Sequence, residues 1–274
     1  NAMFPIGGGI GALGISYISN LIGRKYSVFL CVIIGIIGEI FLIASYYTRN
    51  YIFFVVSRFF DGLSSGGSMN AGICYLFDLL PSSSVSCCKP LVQLFINFGL
   101  FISALFSLDS IVHKNWIITS IPVTAVQIAL AIILIFLPES PQDLYKKTKD
   151  ASKTRKIIAQ IRGSNYAGIE DELNLIIAED QKNATIKYMS VINFLRDKTL
   201  AASILVMSVI QLFQQFSGIN AVIYYANDFM KKSHFEREDI GVLLMIMLCL
   251  IGSIIFAPFL TKFSPKTMLL VGYS

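Results

Sequence analysis

Hydrophobic runs of about 20 residues recur along the chain, the length an α-helix needs to cross a bilayer core. The first covers residues 1–20, the second about Ser27–Tyr46, the third Tyr51 to about Phe77, the fourth about Pro90–Leu108 and the fifth Trp116–Leu137. From 142 to about 197 the pattern changes. Lys, Arg, Asp and Glu are dense and mixed there, while Ile157, Ile158 and Ile161, then Leu173, Leu175, Ile176 and Ile177, recur at helical spacing. That spacing predicts short amphipathic surface helices. Two further runs follow, about Leu200–Ala226 and Ile240–Leu260, and another begins at Met268. The pattern predicts an all-α integral membrane protein with about seven transmembrane helices and amphipathic cytoplasmic linker helices.

Polar and small positions inside the runs refine this. Gly7, Gly11 and Gly14 in the first run, and Gly62, Gly66, Gly67 and Gly72 in the third, are dense enough to let neighbouring helices approach closely. Gly23-Arg24-Lys25 reads as a basic turn after the first run, and Asp78–Lys89 as a loop. The second and third runs are joined by a short loop, so they should be antiparallel neighbours. Glu39 then lies at a depth similar to Arg58 and Asp61. Glu39 pairs with Arg58 across the helices, or Asp61 pairs with Arg58 at i,i+3. Asn97 is the strongest polar group of the fourth run, either facing a cavity or bonding a neighbouring helix. Trp116 fits an interfacial anchor.

The most informative stretch lies in the sixth run: Gln211-Leu-Phe-Gln214-Gln215-Phe-Ser217-Gly218-Ile-Asn220-Ala-Val-Ile-Tyr224-Tyr225. An unpartnered amide in hydrocarbon costs about 2–7 kcal/mol, depending on the reference state. Such groups should therefore face a bundle interior or a watered cavity. At about 100° per residue, Gln211, Gln214, Gln215, Gly218, Val222 and Tyr225 fall on one stripe. Asn220 falls roughly opposite and joins them only if the helix unwinds near Ser217-Gly218. A broken span with amides at the break is typical of transporter sites at mid-membrane. Amides donate and accept hydrogen bonds without charge, which suits a neutral polyol such as a sugar. Each bond nets only about 0.5–1.5 kcal/mol, so capture stays compatible with release.

Composition agrees with the membrane reading: 55% of residues are hydrophobic and only 14% charged, against about 25% charged in soluble domains. The net charge of +5 reflects cytoplasmic loop bias, and no basic patch interleaved with aromatics calls for nucleic acid. The short basic loops at Arg24-Lys25 and Lys262–Lys266 place those ends, and the linker, on the cytoplasmic side. The sequon Asn183-Ala-Thr185 is then cytoplasmic and unused. Cys31, Cys74, Cys87, Cys88 and Cys249 show no metal-ligand spacing, and His113 and His234 sit in loops. No cofactor or metal is called for, and no catalytic set occupies a span. The basic turns after the first and seventh runs, six spans apart with the linker between, echo a duplicated six-helix unit lacking one span at its start. The missing start methionine and the apolar run at Tyr273-Ser274 read as a fragment of a longer protein.

At this point the residues resemble the sugar porters of the major facilitator superfamily, especially facilitative glucose transporters. The resemblance rests on Gly23-Arg24-Lys25, Arg58 with Gly62, Pro138-Glu139-Ser140-Pro141 and, most specifically, Gln211–Tyr225. It implies a major facilitator fold fragment. Residues 1–137 would be family helices two to six of an N-terminal bundle, 138–197 the cytoplasmic linker helices, and 198–274 helices seven, eight and the start of nine. It implies that Gln214, Gln215 and Asn220 contact sugar hydroxyls with Gln211 nearby, and that Asn97 stands where the family has a sugar-touching Gln. Tyr224 and Tyr225 correspond to outer-gate tyrosines, and Arg24, Lys25, Lys89 and Glu139 to a cytoplasmic charge network. Departures occur at Lys89 and Gln142, both Arg in the family, at Asp78, usually Glu, at Cys249, usually Asn, and at Thr261 and Ser264-Pro265-Lys266. Lys in place of Arg loses bidentate pairing, which weakens or rewires the network.

The implied activity is transport of a hexose-type sugar across the plasma membrane by alternating access, as facilitated diffusion. The alternatives are a non-transporting sugar sensor on the same fold and a proton-coupled symporter. A seven-helix receptor is disfavoured by the long linker and the six-span echo.

Overall fold

The computed structural model describes residues 2–112, 115–163, 166, 168–185, 198–233 and 237–273. His113, Lys114 and His234 lie outside this set. The described chain is helical, without a strand. The helices are α1 (Met3–Ile22), α2 (Arg24–Thr48), α3 (Tyr51–Leu79), α4 (Ser82–Phe106), the short α5 (Asp109–Val112), a 3-10 turn (Trp116–Ser120) and α6 (Ile121–Phe136). The linker forms α7 (Pro141–Thr148), α8 (Ala151–Arg162) and α9 (Ile169–Thr185). Beyond it come α10 (Lys198–Phe216), α11 (Ile219–Tyr224), α12 (Ala226–Lys232), α13 (Glu238–Lys262) and α14 (Pro265–Tyr273).

Six stretches are long and apolar enough to cross a bilayer: Met3–Ile22, Arg24–Thr48, Cys87–Phe106, Trp116–Phe136, Ala201–Tyr224 and Glu238–Phe259. At 29 residues α3 has the length but not the composition. It carries Arg58, Asp61 and many small residues, and it packs along both α1 and α2. Protein rather than lipid covers those faces, so α3 can stay polar.

The α1–α3 contact is backbone against backbone. A Cβ added at Gly7 would overlap Phe59 O, one at Gly11 Leu63 O, one at Gly62 Phe4 O and one at Gly66 Gly8 O. Two Gly-x-x-x-Gly faces meet, and removing side chains from both lets the helix axes close up. On its other face Ser64 Oγ donates to Cys31 O of α2 at 2.7 Å. Towards the end carrying Arg24, the core closes around Ile15, Val28, Cys31, Val32, Ala71, Tyr75 and Leu134.

Boundaries differ from expectation in three places. Only Gly23 (φ 93°) separates α1 from α2, so Arg24 and Lys25 belong to the first turn of α2 and not to a loop. A positive φ at glycine turns the chain within one residue. The expected loop at Asp78–Lys89 is helical from Ser82, with Pro90 inside α4. Membrane helices tolerate such a proline because neighbours and local adjustment satisfy the freed backbone groups. The fifth span starts as a 3-10 turn at Trp116 and becomes α-helical at Ile121-Pro122. Trp116 meets Tyr46 and Phe54 edge-on, with ring centroids at 5.6 and 6.1 Å.

The linker helices carry their own small core of Ile158, Ile169, Leu173 and Ile176. Leu175, expected on the same stripe, is exposed. Asp150 caps α8, accepting from Ser152 N and Lys153 N. The Lys153 backbone bond leads in holding its carboxyl below the usual range.

Candidate functional site

Helix termini leave carbonyls unpaired, and at the end of the bundle carrying Arg24 cations from other elements take them up. Lys147 Nζ donates to Ile22 O at the end of α1, Lys25 Nζ to Leu137 O after α6, and Arg162 Nη1 to Leu79 O at the end of α3, each at 2.6 Å. Arg162 also grips Glu172 with two donors, at 3.1 and 2.7 Å. Arg24 is the hub: it pairs with Asp78, donates to Cys74 O at 3.3 Å, and its backbone N–H meets Asp143 Oδ2 at 2.6 Å. Ser140 Oγ donates to the other Asp78 oxygen and accepts from Asp143 N, capping α7.

The other two expected network residues make fewer contacts. Glu139 accepts from Tyr26 OH at 2.9 Å. Lys89 is exposed on α4 and forms no ion pair among the described residues. Its single ammonium on a flexible stem lacks the fork that clamps a carboxylate. Ser140, Asp143, Lys147, Arg162 and Glu172 were missed. For Ser140 and Asp143 a signal existed, since Ser-Pro-x-Asp is a helix-start signature.

Of the two possible partners for Arg58, the structure selects Asp61 at 3.8 Å on the same helix. The cross-helix pair with Glu39 is not formed. Glu39 is buried and accepts from Thr124 Oγ1 of α6 at 3.4 Å. The Arg58 guanidinium instead stacks over the Phe54 ring, 5.1 Å from its centroid, and that drift towards Phe54 leaves Glu39 to α6.

The sixth span is broken where the amides predict it. Helix α10 stops at Phe216, Gly218 adopts a left-handed conformation (φ 78°, ψ 4°), and α11 starts at Ile219. Ser217 Oγ donates back to Gln214 O at 2.7 Å, taking up a carbonyl freed at the break. The rotation at Gly218 brings Asn220 round to the amide stripe, where its Nδ2 donates to Gln215 Oε1 at 2.6 Å. Gln211, Gln214, Gln215 and Asn220 are all exposed. The most apolar window of the span has no buried residue. Tyr225 forms a second joint, between α11 and α12, and Tyr224 and Tyr225 are 61% and 64% exposed.

Asn97 does not meet this stripe. Its Nδ2 donates to Ser253 Oγ, joining α4 to α13, and Gln93 Nε2 reaches its Oδ1 at 3.4 Å. The α4–α13 pair is also tied at its other end, where Asp109 N donates to Asp239 Oδ2 and Arg237 Nη2 to Ser110 Oγ, both at 3.3 Å. A cavity of about 380 Å³ lies there, lined by polar residues such as Ser107, Asn227 and Asp239 and by apolar ones such as Leu100, Val242 and Ile246.

Chemically, the break offers a row of neutral donors and acceptors on a membrane span. The comparisons with known proteins point the same way. The chain is 28% identical to the facilitated glucose transporter member 5 of solute carrier family 2 from Equus caballus, over all of this chain and 55% of the relative. It is 27% identical to member 1 from Gallus gallus, over 86% of this chain and 48% of the relative. The chain thus spans about half the length of the curated relatives it matches. Its fold is similar to the partially occluded inward-open xylose transporter XylE from E. coli, with a TM-score of 0.77, covering 97% of this chain and 62% of that one at 19% identity. It is also similar to that protein, a major facilitator superfamily proton:xylose symporter, bound to 6-bromo-6-deoxy-D-glucose, with a TM-score of 0.73, covering 97% and 59% at 20% identity. The fold is therefore the all-α major facilitator fold of a multi-pass membrane protein. The family described as "Sugar (and other) transporter" matches residues 1–274, and the chain belongs to it.

Proposed function

We propose that the protein carries a neutral, hexose-type sugar across the plasma membrane by facilitated diffusion, through alternating access. The observation that carries this reading is the Asn220–Gln215 bond across the Gly218 break. It gathers an amide cluster on an uncovered face of a membrane span. Sugar hydroxyls can replace that bond one for one, so the exchange costs little and binding stays reversible.

In this reading Gln211, Gln214, Gln215 and Asn220 contact the sugar, and Tyr224 and Tyr225 gate it from the outer side. Asn97 lies on the facing wall and gives up Ser253 to reach the ligand. Residues 1–137 and 198–274 belong to two bundles that rock about the site, with 138–197 linking them. Arg24 with Asp78, together with Lys25 and Glu139, locks the cytoplasmic side in one of the two states, and Lys89 stays outside that lock.

A non-transporting sugar sensor is the second reading, favoured by Lys89, which is exposed and forms no ion pair among the described residues. Uptake of radiolabelled hexoses by transport-deficient cells expressing the protein separates the two. Saturable uptake supports the carrier. Sugar binding without uptake supports the sensor.

A further inference from the structure

At the end of α2 far from Arg24, aromatic rings from α2, α3 and the 3-10 turn stand around a cavity. It measures about 480 Å³ and is lined by Ser45, Tyr46, Arg49, Tyr51, Phe54 and Trp116. The Trp116 ring is turned 73° from that of Tyr46 and 86° from that of Phe54. Tyr51 lies closer to parallel with Phe54, at 26° and 6.1 Å between centroids. Rings set near right angles form walls, whereas parallel rings form a stack. Two hydrogen bonds hold the walls in place. Tyr46 OH donates to Asn115 Oδ1, and Ser45 Oγ donates to Asn50 O across the turn, both at 3.2 Å.

A guanidinium lines the same space. Arg49 ends α2 in a left-handed conformation, with a φ of 54°. Glycine or asparagine closes a helix this way with less strain, so the turn itself does not call for arginine. The Arg49 side chain has no ion pair or hydrogen bond among the described residues. Its depth follows from helix length. With Arg24 on the cytoplasmic side, the 25 residues of α2 exceed the roughly 20 that cross a bilayer core. Arg49 therefore emerges among the headgroups of the outer leaflet.

Trp and Tyr are ordinary at that level, as an interfacial belt. A belt needs neither rings at right angles around a space nor a guanidinium lining it. An aromatic box is suited to a quaternary ammonium, whose charge is drawn to the ring faces. A guanidinium is suited to phosphate, whose oxygens accept from two of its donors. Phosphocholine carries both groups a few bonds apart.

We infer that this cavity binds a phosphocholine group at the outer face of the membrane. The quaternary ammonium lies among the rings of Tyr46, Tyr51, Phe54 and Trp116, and the phosphate lies on Arg49. The site uses none of the Gln211–Tyr225 groups and does not rest on the sugar reading.

The test is native mass spectrometry of the full-length protein, released from detergent with one of three probes. These are phosphatidylcholine, phosphatidylglycerol (phosphate without the quaternary ammonium) and glycerophosphocholine (the headgroup without acyl chains). Phosphatidylcholine should be retained over phosphatidylglycerol by about two- to thirtyfold, the range of a cation–π contact. Trp116→Leu and Tyr51→Leu should each lower that preference, and Arg49→Gln should weaken retention of both lipids. If Trp116→Leu does not fold, Tyr51→Leu carries the test, since Tyr51 is 72% exposed. Retention of phosphatidylcholine alone supports the site with a bilayer lipid as its ligand. Retention of glycerophosphocholine as well supports it with a soluble one. Equal retention of the two lipids would mean an aromatic belt only, and no retention would mean that another part of the chain fills the cavity. Either result, or phosphatidylcholine retention unchanged in both Tyr51→Leu and Arg49→Gln, would overturn the inference.

Discussion

Two regions of the molecule use glycine on membrane helices, and they use it for opposite ends. In α1 and α3 the glycines at 7, 11, 62 and 66 keep ordinary helical backbone and are needed because another backbone fills the space of their Cβ. In the span of α10 and α11, Gly218 has open space around its Cβ position but a φ of 78°. The first kind closes two helices into a rigid pair; the second opens one helix and re-aims Asn220. The polar groups follow suit. Near α3 they are buried and locked, whereas the amides of the broken span stay uncovered.

Substitutions at these glycines break or sharpen that contrast. The largest effect belongs to Gly66→Leu, which drives a whole side chain into Gly8 O. It should abolish the folded bundle, read as loss of a monodisperse peak in size-exclusion chromatography. Gly11→Ala adds a single methyl against Leu63 O and should cost about 1–3 kcal/mol as an overpacked site, read as a lowered Tm in detergent. Gly218→Ala meets no atom but must hold a left-handed backbone, at about 1–2 kcal/mol. Its Tm should fall less than that of Gly11→Ala, while sugar binding falls more. Gly9→Ala and Gly14→Ala have nothing within 4 Å and should raise stability slightly, by about 0.5–1 kcal/mol, from helix propensity alone. Equal Tm losses at positions 9 and 11 would show that the α1–α3 contact is not the close one described.

Much of this was legible in the sequence, for reasons that differ by region. Span positions are written in the hydrophobic runs, because a bilayer rejects polar side chains whatever the tertiary context. The break at Gly218 was legible because Asn220 falls off the stripe of an intact helix and a glycine stands just before it. The pairing of Arg58 was not, since Asp61 and Glu39 lie at similar depth and the choice depends on how the guanidinium packs on Phe54. Asn97 could face a cavity or bond a neighbouring helix, and nothing in its own helix reveals Ser253, 156 residues later, as the partner. The cations on helix-end carbonyls at Ile22, Leu79 and Leu137 were equally hidden. The position of a basic residue in the chain does not encode which terminus it will meet.

The central claim is that the Gly218 break assembles Gln215 and Asn220 into a sugar site. Equilibrium binding of a radiolabelled hexose to the purified protein, wild type against Gln215→Ala and Asn220→Ala at matched folded concentration, tests it most directly. Each substitution leaves hydroxyls of the bound sugar and the remaining amide unpaired, at about 1–3 kcal/mol, so affinity should fall roughly ten- to hundred-fold with Tm unchanged. Undiminished hexose binding in both variants would contradict the account.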